Sequence, residues 1–215
     1  MIIIGAKGFA KELLTVIYQN NTDENFCLYD DVNNDMPDLL YDKYKIIKNI
    51  DSAEKYIKSV DNRFLLGIGN PILRYNMVKK FSNIYGVLTS TIAQSAKIGN
   101  FDNQIGIGTN IMSNVIIEAS NQIGMGCIIH TNSFISHDIS IGNFCEISPS
   151  VNLLGNVEIG NFTSIGTGAI ILPKIKIGEN VIVGAGAVIT KNIPNNSVVV
   201  GNPGRILRQL NALKI

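Results

Sequence analysis

The sequence predicts a chain in two parts, a small parallel α/β unit followed by a long all-β parallel β-helix. Three observations point there. Aliphatic residues recur every six positions without a miss from Ile105 to Ile189. Strand-like and helix-like segments alternate before residue 85. No excess of charge, cysteine or continuous apolar sequence points to another class.

The N-terminal segments come in order. Ile2 to Ile4 reads as a short apolar strand, and Gly5-Ala6-Lys7-Gly8 leads from it into an amphipathic stretch through Glu12, Leu13, Leu14, Val16 and Ile17. A second apolar segment, Phe26 to Tyr29, is closed by Asp30-Asp31, and a polar, variable region runs on to about residue 62. Phe64 to Ile68 is a third strand, followed by Gly69-Asn70-Pro71 and a helix from Ile72 to Phe81. Alternating strands and helices favour a parallel sheet, here a Rossmann-like unit over residues 1–85. A glycine loop between strand and helix offers backbone N–H groups to a phosphate, and an acidic residue ending the second strand can bond a ribose or base. Gly5-x-x-Gly8 lacks a third glycine, however, so the same loop also reads as a turn that needs glycine only for packing.

The six-residue step governs residues 86–215. From Ile105 it gives fifteen consecutive aliphatic positions, and Ile92 and Ile98 keep the same step before a seven-residue interval that marks one inserted residue. Six residues advance an α-helix by about 600°, which scatters the aliphatics over all faces, whereas an even step preserves the alternation of a strand. Four residues after each aliphatic lies a second inward row of small or branched residues, among them Thr109, Val115, Cys127, Ser133, Cys145 and Thr163. Glycine follows the aliphatic at 106, 124, 142, 160, 166, 178 and 184, where the chain turns a corner in little space. Such units bury their apolar side only by stacking on one another. The uninterrupted step leaves no room for a long loop inserted among the coils.

The totals exclude other classes. A net charge of +1 with 16% charged residues gives no attraction to nucleic acid or an anionic membrane. Cys27, Cys127 and Cys145 are odd in number and lack CxxC spacing, so neither a disulfide framework nor a zinc cluster is expected. Met1-Ile2-Ile3-Ile4 is cut short by Gly5, well below the length of a signal h-region, and no run approaches a membrane span. The expected location is cytoplasmic.

The combination of Ile3-Ile4-Gly5-Ala6-Lys7-Gly8-Phe9, Tyr29-Asp30-Asp31, Ile68-Gly69-Asn70, the hexapeptide array and the closing Val200-Gly201-Asn202-Pro203 resembles one group of proteins. These are the bacterial sugar acyltransferases of the sialic-acid O-acetyltransferase and nucleotide-amino-sugar N-acetyltransferase group. The resemblance spans the chain. It implies a left-handed β-helix with three flat sides and 18 residues per coil, hence roughly five and a half coils on the order of 25 Å tall at about 4.8 Å per strand. It also implies a homotrimer, with acetyl-CoA as acyl donor in the groove between neighbouring coils and no metal. In this group the N-terminal unit binds the nucleotide or the sugar, which assigns substrate contacts to Gly5, Lys7, Gly8, Asp30, Asp31, Gly69 and Asn70.

The only histidines are His130 and His137. An imidazole suits proton removal near neutral pH, and Ser136-His137-Asp138 matches the group's histidine–acid pair, which makes His137 the general base and Asp138 its orienting carboxylate. With 18 residues per coil, Gly155 stacks on His137, where the group's backbone N–H bonds the thioester carbonyl; a glycine required by coil shape is the other reading. His130 stands where several relatives carry a sugar-contacting asparagine, and is assigned to substrate. Glu146 stands where some relatives place a histidine near the cofactor. It joins Gly155, Gly166, Thr167, Gly184 and Ala185 as the cofactor set. Arg205 or Lys191 is available to CoA phosphates. A covalent acyl-thiol route through Cys127 or Cys145 is disfavoured by their place in the inward row, and a three-histidine zinc site lacks its third histidine.

The expected reaction is direct N-acetylation of a nucleotide-linked amino-deoxy sugar. O-acetylation of sialic acid or a related sugar is the alternative within the same chemistry, and a catalytically inert scaffold is the alternative outside it.

Overall fold

The computed structural model describes residues 1–20, 25–33 and 35–214. They form two compact units, Met1–Thr91 and Ile92–Ile215.

In the first unit, β1 (Ile2–Ile4), α1 (Gly8–Gln19), β2 (Cys27–Tyr29), β3 (Leu39–Leu40), β4 (Tyr44–Ile47), α2 (Ile50–Ser59), β5 (Arg63–Leu66), α3 (Pro71–Ser82) and β6 (Val87–Leu88) follow in order. The sheet runs β3-β4-β2-β1-β5-β6. All its pairs are parallel except β3 with β4. The central strand β1 is fully buried because helices cover both faces of a parallel sheet, so Ile2, Ile3 and Ile4 need no polar alternation. The polar region after residue 30, read from sequence as variable, holds β3, β4 and α2. Its helix starts at Asn49, whose Oδ1 accepts from the Ser52 N–H at 2.9 Å, and buries Ala53 and Ile57. β6 lies beyond residue 85 yet pairs with β5, so the N-terminal sheet takes in two residues that the sequence assigned to the next unit.

The second unit stacks two-residue strands into three parallel sheets. The first contains Asn110–Ile111, Ile128–Ile129, Glu146–Ile147, Ser164–Ile165 and Ile182–Val183. The second contains Ile116–Ile117, Phe134–Ile135, Asn152–Leu153, Ile170–Ile171 and Val188–Ile189. The third contains Gln122–Ile123, Ser140–Ile141, Glu158–Ile159 and Lys176–Ile177. Ile111 faces Ile129 and Ile123 faces Ile141, which is 18 residues per coil. Lys97 faces Ile116, a step of 19, so the inserted residue read between Ile98 and Ile105 lies in the first coil. Both inward rows are buried. Cys127 and Cys145 occupy the place that Thr109 and Thr163 hold in the same column. Each of these four side chains donates to a glycine carbonyl of the next coil, Thr109 to Gly124 and Thr163 to Gly178 at 2.8 Å, Cys127 to Gly142 and Cys145 to Gly160 at 3.1 Å. The thiols are therefore core residues.

From Ile105 to Val183 the left-handed backbone conformation falls three residues after each aliphatic, at Gly108, Gly126, Gly168 and Gly186, at Asn114, Asp138, Asn156 and Asn180, and also at Phe144, Phe162 and Lys174. Asparagine and aspartate tolerate that conformation better than other non-glycine residues. The glycine directly after the aliphatic serves close stacking instead: a Cβ at Gly106 would sit 2.5 Å from the Gly124 carbonyl carbon. The stack closes with Ser197–Val200, paired parallel to the last first-sheet strand and antiparallel to Arg205–Gln209.

Candidate active site

In the first unit, the strands β1, β2 and β5 end side by side. The chain leaves β1 toward β2 on one side and β5 lies on the other, so their carboxyl ends border a crevice where a parallel sheet reverses its winding direction. A cavity of about 330 Å³ opens there, lined by Gly5 to Phe9, Tyr29 to Asn33, Gly67 to Gly69, Leu73 and Met77. Gly5 has φ +101°, and a Cβ on it would meet the Gly67 carbonyl oxygen at 2.7 Å, so the β1–α1 turn requires glycine. A Cβ on Gly8 would meet nothing within 4 Å, which leaves open space before the first turn of α1.

The acidic pair after β2 divides its work. Asp30 is buried and closes its own turn, accepting from the Val32 and Asn33 N–H groups and from the Asn33 amide at 2.9 to 3.2 Å. Asp31 accepts from Tyr29 Oη at 2.8 Å and pairs with Lys80. Despite burial, the lysine ammonium and the tyrosine hydroxyl hold its carboxyl below the usual carboxylate range. Lys7 reaches across the mouth to Asn33 Oδ1. Asn70 spends its side chain as the N-cap of α3, accepting from the Leu73 N–H at 3.0 Å. Arg74, which no sequence pattern singled out, is fully buried in α3 and donates to the carbonyls of Ile68 and Gly69, fixing the third lip of the cavity.

In the second unit, His137 and Asp138 sit on the corner between the second and third sheets. Asp138 takes the left-handed conformation at φ 57°, which turns its carboxylate back to His137, and Oδ2 lies 2.7 Å from Nδ1. A carboxylate only accepts, so Nδ1 carries a proton, and in the neutral ring Nε2 presents a lone pair. Both side chains are more than half exposed. Gly155 follows one coil later, directly against the imidazole: a Cβ there would stand 2.7 Å from Cε1 and 2.8 Å from Nε2. The sequence reading of glycine for space at this point is thus physical, whatever else the residue does.

The corners differ in how they treat the outward N–H two residues after each aliphatic. Between the third and first sheets these groups are plugged from the next coil: Asn143 Oδ1 accepts from Met125 N–H, Asn161 Oδ1 from Asn143 N–H, and Asn195 Oδ1 from Glu179 N–H, at 2.8 to 2.9 Å. On the other two corners the next-coil positions over the N–H groups of His137, Gly155 and Thr167 are Gly155, Pro173 and Ala185, which bring no side-chain acceptor. Among the described residues, the N–H groups of Gly155, Thr167 and Ala185 donate to no protein atom. The predicted cofactor residues Gly155, Gly166, Thr167, Gly184 and Ala185 therefore all lie on the two corners flanking the second sheet. His130 is nearly buried on the corner between the first and second sheets, and its Nε2 stands 3.3 Å from Glu146 Oε1. The structure brings those two predicted residues together, one sheet away from His137. Among the described residues, no group of three His, Cys, Asp or Glu side chains is placed to hold a metal, and no helix is long and apolar enough to cross a membrane.

Comparison with known proteins matches residues 1–81 to the PglD N-terminal domain and residues 156–191 to the bacterial transferase hexapeptide repeats. No curated protein matches by sequence. Among solved structures, a histidine-to-asparagine variant of perosamine N-acetyltransferase from Caulobacter crescentus, in complex with CoA and GDP-perosamine, is 26% identical, covers 97% of this chain and 96% of its own, and has a TM-score of 0.89. WeeI from Acinetobacter baumannii is 27% identical over 96% of this chain and 98% of its own, with a TM-score of 0.86. The acetyltransferase domain of PglB from Neisseria gonorrhoeae is 26% identical over the same shares, with a TM-score of 0.83. A PglD-type unit at its start, hexapeptide repeats after it and likeness over nearly its full length to a perosamine N-acetyltransferase and to an acetyltransferase domain support an acetyltransferase.

Proposed function

We propose that the protein moves the acetyl group of acetyl-CoA to the amine of a nucleotide-linked amino-deoxy sugar, with His137 as general base. The observation that carries this reading is the His137–Asp138 pair set against the unplugged N–H of Gly155. Asp138 fixes the tautomer, so Nε2 takes a proton from the sugar nitrogen as that nitrogen attacks the thioester carbonyl. Negative charge builds on the carbonyl oxygen, and the Gly155 N–H is the donor that meets it. Collapse of the tetrahedral intermediate breaks the C–S bond, and the CoA thiolate leaves and is protonated.

The N-terminal cavity supports a nucleotide as the sugar's handle. Its volume suits a base and ribose, the open space at Gly8 admits a phosphate to the first turn of α1, and Asp31 offers a charged acceptor to a ribose hydroxyl. One structural relative carries CoA and GDP-perosamine, another acetyl-CoA. Thr167 and Ala185 supply N–H groups to the amides of the CoA arm, with Gly166 and Gly184 leaving room for it. His130 and Glu146, at the edge of the second sheet opposite His137, would join the cleft across the interface between protomers of the homotrimer, as acceptor and cofactor contacts.

The finer architecture belongs to the same proposal: left-handed coils following the sugar-binding unit, assembled as a cytoplasmic homotrimer. The outward rows support assembly. After Lys97 the second sheet presents Ile116, Phe134, Ile170 and Val188, broken once by Asn152, whereas the third presents Gln104, Gln122, Ser140, Glu158 and Lys176. A sheet face meant for water has no use for that apolar row.

Acetyl-CoA turnover with UDP-, dTDP- and GDP-linked amino sugars, and with sialic acid as control, tests the reading. Transfer to one amino-sugar nucleotide and none to sialic acid is expected, and His137→Ala is expected to lower kcat by about 10³ with the oligomer intact. Full activity in that variant, or transfer to sialic acid alone, overturns it.

A further inference from the structure

We propose that Asn121 is a positioning residue for the His137–Asp138 corner, an inference that rests on the reading of His137 as the base. The inward row in this column reads Asn103, Asn121, Ile139, Val157 and Ile175, so two amides open it before it turns aliphatic. Asn121 is the fully buried one of the two. Its Oδ1 accepts from the Ile139 N–H at 2.9 Å, which fixes the orientation of the amide, since only the oxygen end can receive that proton. Its Nδ2 finds no partner among the described residues. A buried donor without an acceptor is costly, and the column shows that an aliphatic residue fits. The polar residue therefore needs another reason to be there.

That reason lies in what the amide holds. Ile139 directly follows Asp138. The corner hangs from the preceding coil by three bonds, Asp138 N–H to the Ala119 carbonyl at 3.1 Å, Ile139 N–H to Asn121 Oδ1, and Gln122 N–H to the Ile139 carbonyl at 2.9 Å. It is tied to the following coil by Asn156 N–H donating to the His137 carbonyl at 3.1 Å. The Asn121 bond thus pins the residue after a left-handed aspartate whose backbone angles aim its carboxylate at the imidazole. Asn121 is itself anchored, its N–H donating to Asn103 Oδ1 at 3.0 Å, while Asn103 Nδ2 donates to the carbonyls of Gly99 and Glu118. A chain of amides along the coil stack ends at the catalytic corner.

The fold supplies its own control. Elsewhere in the inward rows threonine does the same job, with Thr109 Oγ1 accepting from Cys127 N–H at 3.1 Å and Thr163 Oγ1 from Val181 N–H at 3.0 Å. Asn121→Thr keeps an acceptor for Ile139, and Asn121→Val has the same shape without one. The test compares wild type, both variants and His137→Ala for kcat, both KM values and thermal midpoint. Asn121→Val is expected to lower kcat about tenfold, a fraction of the roughly hundredfold cost of a 1 Å misplacement, with both KM values within about twofold and a midpoint close to wild type. Asn121→Thr is expected to recover most of kcat. Wild-type kcat in Asn121→Val, or equal impairment of both variants together with a large fall in midpoint, overturns the proposal and leaves Asn121 a packing residue. Full activity in His137→Ala removes the reading of the site itself, which sets that failure apart from one at Asn121.

Discussion

Replacing Gly155 by alanine separates the chemistry of the corner from its stability. The added Cβ would stand 2.7 Å from His137 Cε1 and 2.8 Å from Nε2, whereas carbon atoms in ordinary contact sit about 3.5 Å apart. Relief requires the imidazole to retreat by about 0.8 Å. The backbone has less freedom to give way, because the Gly155 carbonyl accepts from Lys174 N–H at 3.0 Å and Asn156 N–H donates to the His137 carbonyl at 3.1 Å. His137 is more than half exposed on its side chain, so the ring swings outward at a cost of less than about 1 kcal/mol, the range of a surface change. A displacement near 1 Å costs about 10² in rate when it misaligns a proton acceptor. The expected result in steady-state assays is a kcat lower by about 30- to 100-fold, with a thermal midpoint within about 3 °C of wild type. Unchanged kcat in Gly155→Ala, alongside an inactive His137→Ala, would refute the claim that the two residues act in one geometry.

Two further changes have outcomes set by the same coordinates. Cys145→Ser keeps a donor for the Gly160 carbonyl in a column where Thr109 and Thr163 already serve, so kcat is expected within about twofold of wild type at a stability loss of about 1 kcal/mol; complete loss of turnover with the fold intact would instead revive a covalent acyl-thiol route. The Arg63 guanidinium, together with the N-terminal ammonium, holds the Asp61 carboxyl far below the usual carboxylate range. Its folded value lies below its unfolded value, so the stability it contributes is complete above about pH 4 and is lost as the pH falls through the depressed folded value. Urea midpoints of wild type and Asp61→Asn are expected to differ at pH 7 and to converge in acid, and a gap that persists at low pH would assign the effect to something other than ionisation.

The parts of this protein that repeat could be read, and the parts that occur once could not. Each coil imposes the same demand on residues six apart, so fifteen aliphatics speak with one voice, and even the inserted residue before Ile105 appears as the step from Lys97 to Ile116. The same phase put Cys127 and Cys145 in the core and Gly155 against His137. The N-terminal unit offers no such averaging. Its loops carry single-use residues, and a short polar side chain such as Asp30 serves a turn or a ligand with equal ease; here it closes its own turn. The strands and helix between residues 39 and 59 are short and separated by exposed polar residues such as Asp42, Lys43 and Lys48, so composition hid them, although Asn49 before Ile50, Ala53 and Ile57 is a legible helix start. Arg74 left no trace at all, because a buried arginine bonding backbone carbonyls has no spacing rule.

The contrast between plugged and open corners allows the cofactor assignment to be tested by adding a group rather than removing one. Asn143 covers the Met125 N–H from one coil below, and Ala185 stands in the same relation to the open N–H of Thr167 as Asn143 does to Met125. Ala185→Asn should therefore place an amide oxygen about 2.9 Å from that N–H, copying a contact the protein makes three times on its other corner. One net hydrogen bond is worth about 1 kcal/mol, so the variant is expected to gain up to that much stability. If Thr167 N–H serves the CoA arm, the same bond now competes with the cofactor. KM for acetyl-CoA should rise about five- to tenfold, with the added bulk contributing in the same direction, while KM for the amino-sugar nucleotide stays put. A more stable variant with unchanged KM for acetyl-CoA would mean that the open corner is not where the cofactor lies. The sign of the stability change matters as much as the KM, because a variant that is both weaker in binding and less stable would have disturbed the coil, whereas one that is more stable yet binds acetyl-CoA less well shows that an N–H was being kept free for a ligand.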